Sequence, residues 1–345
     1  MPLPAYRLIT DRHFYERRFI QMLVPVLLFI LGLACLIKGG DWFVDGAIGL
    51  ARRFHVPEIL IGATVVSIGT TLPEVMVSAS SALQGHSQIA YGNAIGSVIC
   101  NTALISALTI AIHPGKTDSK SLRLPVLFFF AAAALFSGVA YTTGQFTRPI
   151  GILLLVMFAA YMALSVYSLK KHPELATAEE DEEEAPKEQP LWKDIVLLVI
   201  GAALIAVGAR LLVDNGTKIA EALGVPESVI ALTFVALGTS LPELVTAITS
   251  LAKGHGSLSL GNVIGANLFN LVLVTGLSVT LNPFGIPTDS QLLGRPASLV
   301  LDLPVMWFVM ALLALPALFK GKLYRAQGII LLAVYAAFCI FQFTM

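Results

Sequence analysis

Long apolar runs organise this chain. Stretches of about 20 residues with almost no charge recur along it, each long enough to cross a bilayer as a helix. They fall near 22–40, 58–83, 88–112, 122–142, 148–169, 192–213, 227–252, 257–281, 297–318 and 324–343. The pattern predicts an all-α polytopic membrane protein with ten transmembrane helices. Most connections are short. The exception is 170–191, where Glu179-Glu180-Asp181-Glu182-Glu183-Glu184 is flanked by Pro173, Pro186 and Pro190. A segment that polar cannot bury a core, so it reads as a solvated linker. Residues 1–21 carry Arg7, Arg12, Arg17 and Arg18 with little apolar pattern, and read as an amino-terminal extension. The expected layout is therefore the extension 1–21, a five-helix unit over 22–169, the linker 170–191 and a second five-helix unit over 192–345.

The two units are copies. Gly69-Thr70-Thr71-Leu72-Pro73-Glu74 returns as Gly238-Thr239-Ser240-Leu241-Pro242-Glu243, 169 positions later. The same offset relates Val44-Asp45 to Val213-Asp214, Val56-Pro57-Glu58 to Val225-Pro226-Glu227, and Gly85-His86 to Gly254-His255. It also relates Gly92-Asn93 to Gly261-Asn262, Ile95-Gly96 to Ile264-Gly265, and Asn101 to Asn270. Helical periodicity alone does not reproduce prolines, glycines and acids at one spacing, so this is an internal duplication. Five spans per unit is odd, so the second unit enters the membrane from the opposite side. Inverted-topology repeats of this kind build secondary transporters, with the site near the midplane where the repeats meet.

Composition narrows the class. Of 345 residues, 56% are hydrophobic and 13% charged, and the mean hydropathy is +0.81; a soluble globular domain needs no such balance. The net charge of zero gives no sign of a nucleic-acid partner. Cys35, Cys100 and Cys339 are far apart in apolar segments, which predicts packing rather than a disulfide or redox pair. Lys116, Lys120, Arg123, Lys253, Lys320, Lys322 and Arg325 share the linker's side, against Arg148, Arg210, Lys218 and Arg295 opposite. That bias makes the linker cytoplasmic in a cell (inner) membrane protein, and the arginines of 1–21 oppose it.

The chemistry sits in the duplicated hexapeptides. A charge at the bilayer centre costs roughly 2.5–3.5 kcal/mol on insertion scales, and such residues mark ion or substrate paths. Proline leaves the carbonyl one turn back without its helical partner, here that of Gly69 or Gly238. Thr70, Thr71 and Glu74 lie three and four apart on one helix face, as do Thr239, Ser240 and Glu243. A carboxylate, two hydroxyl residues and a freed carbonyl form a cluster of hard oxygens of the kind that Na⁺ and Ca²⁺ take. Asn101 and Asn270 lie deep in apolar stretches and could serve as neutral cation ligands or as interhelical hydrogen-bonding groups. Gly92/Gly96 and Gly261/Gly265 have the spacing of close helix packing. Glu58 and Glu227 read as helix-start acids, His86 and His255 as turn residues, Asp45 and Asp214 as interfacial residues near helix ends. Thr64 and Ser78 read as hydroxyls bonded back to their own helix. No H-E-x-x-H, Walker or nucleophile-elbow pattern occurs at a credible place, which argues against an enzyme.

These motifs resemble the α-repeats of the sodium/calcium exchanger family, within the cation/calcium antiporter superfamily. The resemblance is closest to the short bacterial calcium/sodium antiporters and covers the whole membrane-embedded chain. It implies a ten-helix fold whose four central helices hold Ca²⁺ or Na⁺ in turn, while the helix pair preceding each repeat slides to switch access. It further implies that Glu74 and Glu243 bind both ions. Thr70, Thr71, Thr239 and Ser240 would supply hydroxyl or carbonyl oxygens, and Ser97, Asn101 and Asn270 would complete the shell. Ser67 and Ala236, one turn before the motif, would serve through backbone carbonyls, as would Gly69 and Gly238. Some family members carry an acid at the position of Asn270 and a serine at that of Ala266.

Charge arithmetic leads the same way. Two carboxylates without a neighbouring Lys or Arg carry −2, which matches one Ca²⁺ and is costly to leave empty in a low dielectric. A carrier that reorients only when that charge is neutralised is an obligate exchanger. The expected function is thus Ca²⁺/Na⁺ antiport, with no cofactor beyond the transported ions. The alternatives are an H⁺/Ca²⁺ exchanger, a gated cation channel and an intramembrane hydrolase, for which the six histidines offer no deep, repeat-matched set. Oligomeric state is not legible.

Overall fold

A computed structural model of the chain describes residues 5–171, 190–222, 238–288 and 291–344. Nearly all of it is helix. The elements are α1 (Ala5–Arg53), α2 (Glu58–Leu83), α3 (Gln88–Ile112), α4 (Ser119–Thr142), α5 (Arg148–Lys171), α6 (Leu191–Ala222), α7 (Leu241–Ala252), α8 (Gly256–Leu281), α9 (Ser298–Lys320) and α10 (Arg325–Thr344). Among the described residues nine helices are long and apolar enough to cross a membrane, and α7 is a shorter apolar helix of 12 residues. The protein is a multi-pass membrane protein. Most of the linker 170–191, together with Pro226, Glu227 and Ala236, lies outside the described residues.

Two boundaries differ from the sequence expectation. α1 runs on past residue 40 to Arg53, and α6 past 213 to Ala222. Polar residues do not end a helix unless they compete for its backbone, and the chain from Lys38 to Arg53 holds no proline. Asp45 and Asp214 therefore lie within helices, not at their ends. α1 is also continuous through the expected boundary at residue 21, with Pro25 inside it.

Ordinary end signals set the other helices. Pro57 precedes α2, with Glu58 in its first turn, where the missing N–H costs nothing and the acid meets the helix dipole. Asp118 caps α4 by accepting from the backbone of Lys120 at 2.9 Å. The α2–α3 and α7–α8 turns place Gly85 and Gly254 at φ 82° and 85°, a conformation that side chains disfavour.

α1 and α6 form a long antiparallel pair. Gly32 and Gly39 of α1 face Gly208 and Gly201 of α6 so closely that a methyl group at Gly32 would sit 2.9 Å from the Gly208 carbonyl oxygen. One at Gly39 would sit equally close to that of Gly201. Without a hydrophobic force between helices in lipid, such backbone proximity is what holds a pair together. α8 is the central helix, buried on every side from Leu258 to Phe269. Aromatic rings fill the space around it, Tyr161 and Phe158 meeting Phe269 at 5.9 and 5.1 Å between centroids. A two-residue antiparallel ladder, Gln145–Phe146 with Phe284–Gly285, ties the α4–α5 connection to the segment after α8.

Candidate functional site

Four helices converge on the duplicated motifs. α2 carries the first hexapeptide inside one continuous helix, with Pro73 in its interior. In the second copy Thr239 and Ser240 form a turn, Pro242 occupies the first turn of α7, and Glu243 lies in that same turn. The second acid thus sits at a helix start among the described residues, whereas the sequence reading places it mid-helix. Proline is favoured at that position because its missing N–H is not required there.

Glu74 and Glu243 are both wholly buried, and none of their four carboxylate oxygens has a hydrogen-bond partner. Glu74 follows the buried Thr70 and Thr71 on α2, and Glu243, in the first turn of α7, follows the buried Ser240. The side-chain oxygens of Thr71 and Ser240, and both polar atoms of Asn101 and Asn270, are likewise buried and unpartnered. Native interiors rarely leave such groups unsatisfied, since each costs about 1–3 kcal/mol and more when charged. These orphaned groups stand at matched positions of the two sequence repeats and include hard oxygens of the type that Na⁺ and Ca²⁺ take. Among the described residues no group of three or more His, Cys, Asp or Glu is placed to hold a metal ion, and the other unpartnered side chains here are hydroxyls and amides.

Asn101 and Asn270 share a feature that sequence does not show. Each opens a π-helical turn, Asn101–Ser106 in α3 and Asn270–Val274 in α8. Such widened turns are frequent at functional sites. Ser97 is buried one turn before Asn101. Ser67 is buried too, but its hydroxyl lies 2.7 Å from the Gly62 carbonyl, so its side chain already has an acceptor.

Close backbone packing positions these groups. A methyl group at Gly261 would run into the Ile59 carbonyl, and one at Gly265 into Ser67 and the Ala63 backbone. The expected packing role is met by this pair, where α8 crosses α2, but not by Gly92 and Gly96, where a methyl group would meet nothing within 4 Å. The motif glycines also receive side chains from the long pair: Phe43 of α1 lies against Gly69, and Val213 of α6 against Gly238. A small cavity lined by Phe43, Thr70, Pro73, Ala202, Ile205 and Pro242 lies between that pair and both motif prolines.

Sequence reasoning missed three groups. Asn262 accepts from Thr70 Oγ1 at 3.2 Å, and Asn93 accepts from Thr239 Oγ1 at 3.3 Å. Both amides were legible as repeat-matched polar residues in apolar spans, but their segment reads most simply as glycine packing. Ser78 is not limited to its own helix, since Asn93 Nδ2 donates to it at 2.8 Å; Thr64 does bond back, to Leu60 O at 2.7 Å. The third group is ionic. Lys253 reaches Asp45 at 2.7 Å and Asp41 at 3.6 Å, and His255 meets Glu58 at 2.6 Å. His255 is a turn residue preceding α8, as expected, with this added contact.

A helical membrane protein with a buried, oxygen-lined site shared by two sequence repeats belongs to the transporters in class. Comparison with known proteins gives the family. The model of the sodium/calcium exchanger protein family matches residues 24–167 and 193–344. The chain belongs to the sodium/calcium exchanger family. It is 31% identical to the sodium/calcium exchanger MaX1 of Methanosarcina acetivorans, over 93% of this chain and 99% of that one. It is 37% identical to the inner membrane protein YrbG of Escherichia coli, over 76% and 81%. Structures of the sodium-calcium exchanger NCX_Mj match with a TM-score of 0.75 at 34% identity, covering 92% of this chain and 98% of that one. Those crystals were soaked with Na⁺, Ca²⁺ or Sr²⁺ in various combinations.

Proposed function

We propose that the protein is a secondary active antiporter that exchanges Ca²⁺ for Na⁺ across a cell membrane by alternating access. Its ten spans form two inverted repeats of five, 22–169 and 192–345, joined by a cytoplasmic linker over 170–191 and preceded by an extension over 1–21. Two buried, unpartnered carboxylates, Glu74 and Glu243, carry the proposal. Their combined −2 equals the charge of one Ca²⁺, and an empty site would strand both charges in a low dielectric. In this proposal Glu74 and Glu243 ligate either ion. Thr70, Thr71, Thr239, Ser240, Ser97, Asn101 and Asn270 complete the shell in varying combination, with backbone carbonyls near Ser67, Gly69, Ala236 and Gly238. The α1–α6 pair slides along the motif helices to expose the site to one side at a time, and moves only when bound cations at least balance the carboxylate charge.

The family match on either side of the linker supports two homologous halves, and the offset of 169 supports their equivalence. The test is ⁴⁵Ca²⁺ uptake into proteoliposomes under imposed Na⁺, K⁺ or H⁺ gradients. Uptake driven by an outward Na⁺ gradient in the presence of a proton uncoupler is expected. Uptake that follows only the pH gradient makes it an H⁺/Ca²⁺ exchanger, and flux without a counter-ion makes it a channel.

A further inference from the structure

The contacts of Thr70 with Asn262 and of Thr239 with Asn93 are repeat images of each other, since both pairs of positions differ by 169. Each also crosses between the halves: the amide on α8 holds a threonine of the first copy, and the amide on α3 holds a threonine of the second. The orientation of Asn93 is fixed by its other contacts. Its Nδ2 donates to the Glu74 carbonyl at 3.3 Å and to Ser78 Oγ at 2.8 Å. A backbone carbonyl can only accept, so the oxygen of the amide is the atom turned towards Thr239. Asn262 is wholly buried, with its Oδ1 3.2 Å from Thr70 Oγ1 and its Nδ2 without a partner; Ser67, 3.3 Å from that oxygen, has a nearer acceptor in the Gly62 carbonyl at 2.7 Å.

A threonine hydroxyl has one proton and two lone pairs. Where the proton is committed to an amide oxygen, both lone pairs remain to face a cation. Without that acceptor the proton turns to a carbonyl of its own helix one turn back, or to a carboxylate beside it. Either choice reduces what the site offers a metal ion, the second by occupying a carboxylate lone pair. We propose that Asn93 and Asn262 are positioning residues that hold the hydroxyls of Thr239 and Thr70 as lone-pair donors for the transported cation, each acting across the repeat interface. The proposal rests on the cation-binding reading of the site and adds residues to it that need not touch the ion.

The crossed wiring gives the test its form. In purified protein, cation binding is read as the Ca²⁺- and Na⁺-dependent rise in melting temperature, and in proteoliposomes as the apparent KM for Ca²⁺. Thr70→Val is expected to weaken Ca²⁺ binding about tenfold in the parent and to have no further effect in Asn262→Ala. In Asn93→Ala it should retain its full tenfold effect. Thr239→Val should behave in the mirror-image way, silent in Asn93→Ala and fully effective in Asn262→Ala. Coupled groups show non-additive effects of this kind, whereas separate sites add. Asn262→Asp and Asn93→Asp keep an acceptor oxygen, and in them the threonine effects should return. Where an alanine variant does not fold, Asn→Leu removes the acceptor while keeping the volume. The maximal rate at saturating Ca²⁺ should stay within about twofold in the single Asn variants. Additive effects in all four combinations, or equal coupling of each Asn to both threonines, overturn the proposal. If the parent protein shows no stabilisation by Ca²⁺ or Na⁺, the cation-binding reading itself fails, an outcome distinct from lost coupling in a parent that binds.

Discussion

Lys253 and Asp45 form an ion pair that joins α1 to the turn between α7 and α8. Their charged atoms are 2.7 Å apart. Lys253 also reaches the backbone carbonyl of Asp41 at 3.1 Å. The repeat counterparts behave differently: Gln84 donates to Ser80 of its own helix, and Asp214 pairs with Arg210 of its own. The contact is therefore one-sided, at the linker end only.

Lys253→Gln should loosen that end. The pair is partly exposed, so its worth is at most about 1 kcal/mol, a several-fold shift between access states. In a variant lacking native cysteines and carrying Ser250→Cys, on the buried face of α7 that leads from Glu243, labelling from the linker side should quicken about threefold to fivefold when Lys253→Gln is added. An unchanged labelling rate would show that the contact holds nothing shut.

Glu74→Gln and Glu243→Gln should each abolish Ca²⁺ transport while leaving the protein inserted and monodisperse. Each halves the negative charge available to a divalent ion, yet the amide keeps the volume. Melting in ion-free buffer should rise or stay level, because a buried unpartnered charge is removed. Normal ⁴⁵Ca²⁺ uptake by either purified variant takes that residue out of the site.

Gly265→Ala tests the crossing of α8 over α2. The new methyl meets the backbone of Ala63, which cannot yield as a side-chain tip can. Overpacking of this kind costs about 1–3 kcal/mol. A lower melting temperature in detergent is expected, with weakened Ca²⁺ binding, since Ser67 and Thr70 sit on the displaced helix. A melting temperature equal to the parent's would contradict the packing.

Exchange should carry net charge if more than two Na⁺ replace each Ca²⁺. With both glutamates ionised, one Ca²⁺ leaves the site neutral, and more than two Na⁺ leave it positive. Ca²⁺ uptake driven by Na⁺ should then respond to a potential set by K⁺ and valinomycin. Indifference to that potential indicates two Na⁺ per Ca²⁺.

Much of this was written in the sequence because the duplication made it so. A lone buried glutamate has several readings; Glu74 and Glu243, each behind proline and two hydroxyl residues at one offset, have few. The spans were legible from hydropathy, whereas the ends of α1 and α6 were not, because Asp45 and Asp214 look terminal until their neighbours are known. Asn93 and Asn262 were visible as amides but not as partners of threonines, since contacts between α2 and α8 or α3 and the second hexapeptide have no local signature. The π-helical turns at Asn101 and Asn270 leave none either, as their backbone angles stay close to those of an ordinary helix.

The glycine seam between α1 and α6 has a mechanical consequence. Helices whose backbones touch at Gly32, Gly39, Gly201 and Gly208 behave as one rod, not two. That rod presses Phe43 against Gly69 and, through its other helix, Val213 against Gly238. No axial displacement can relieve one of these contacts without altering the other. In the proposed exchange cycle this would interlock the two faces of the membrane like the doors of an airlock, with the stiffness of a shared part preventing leakage.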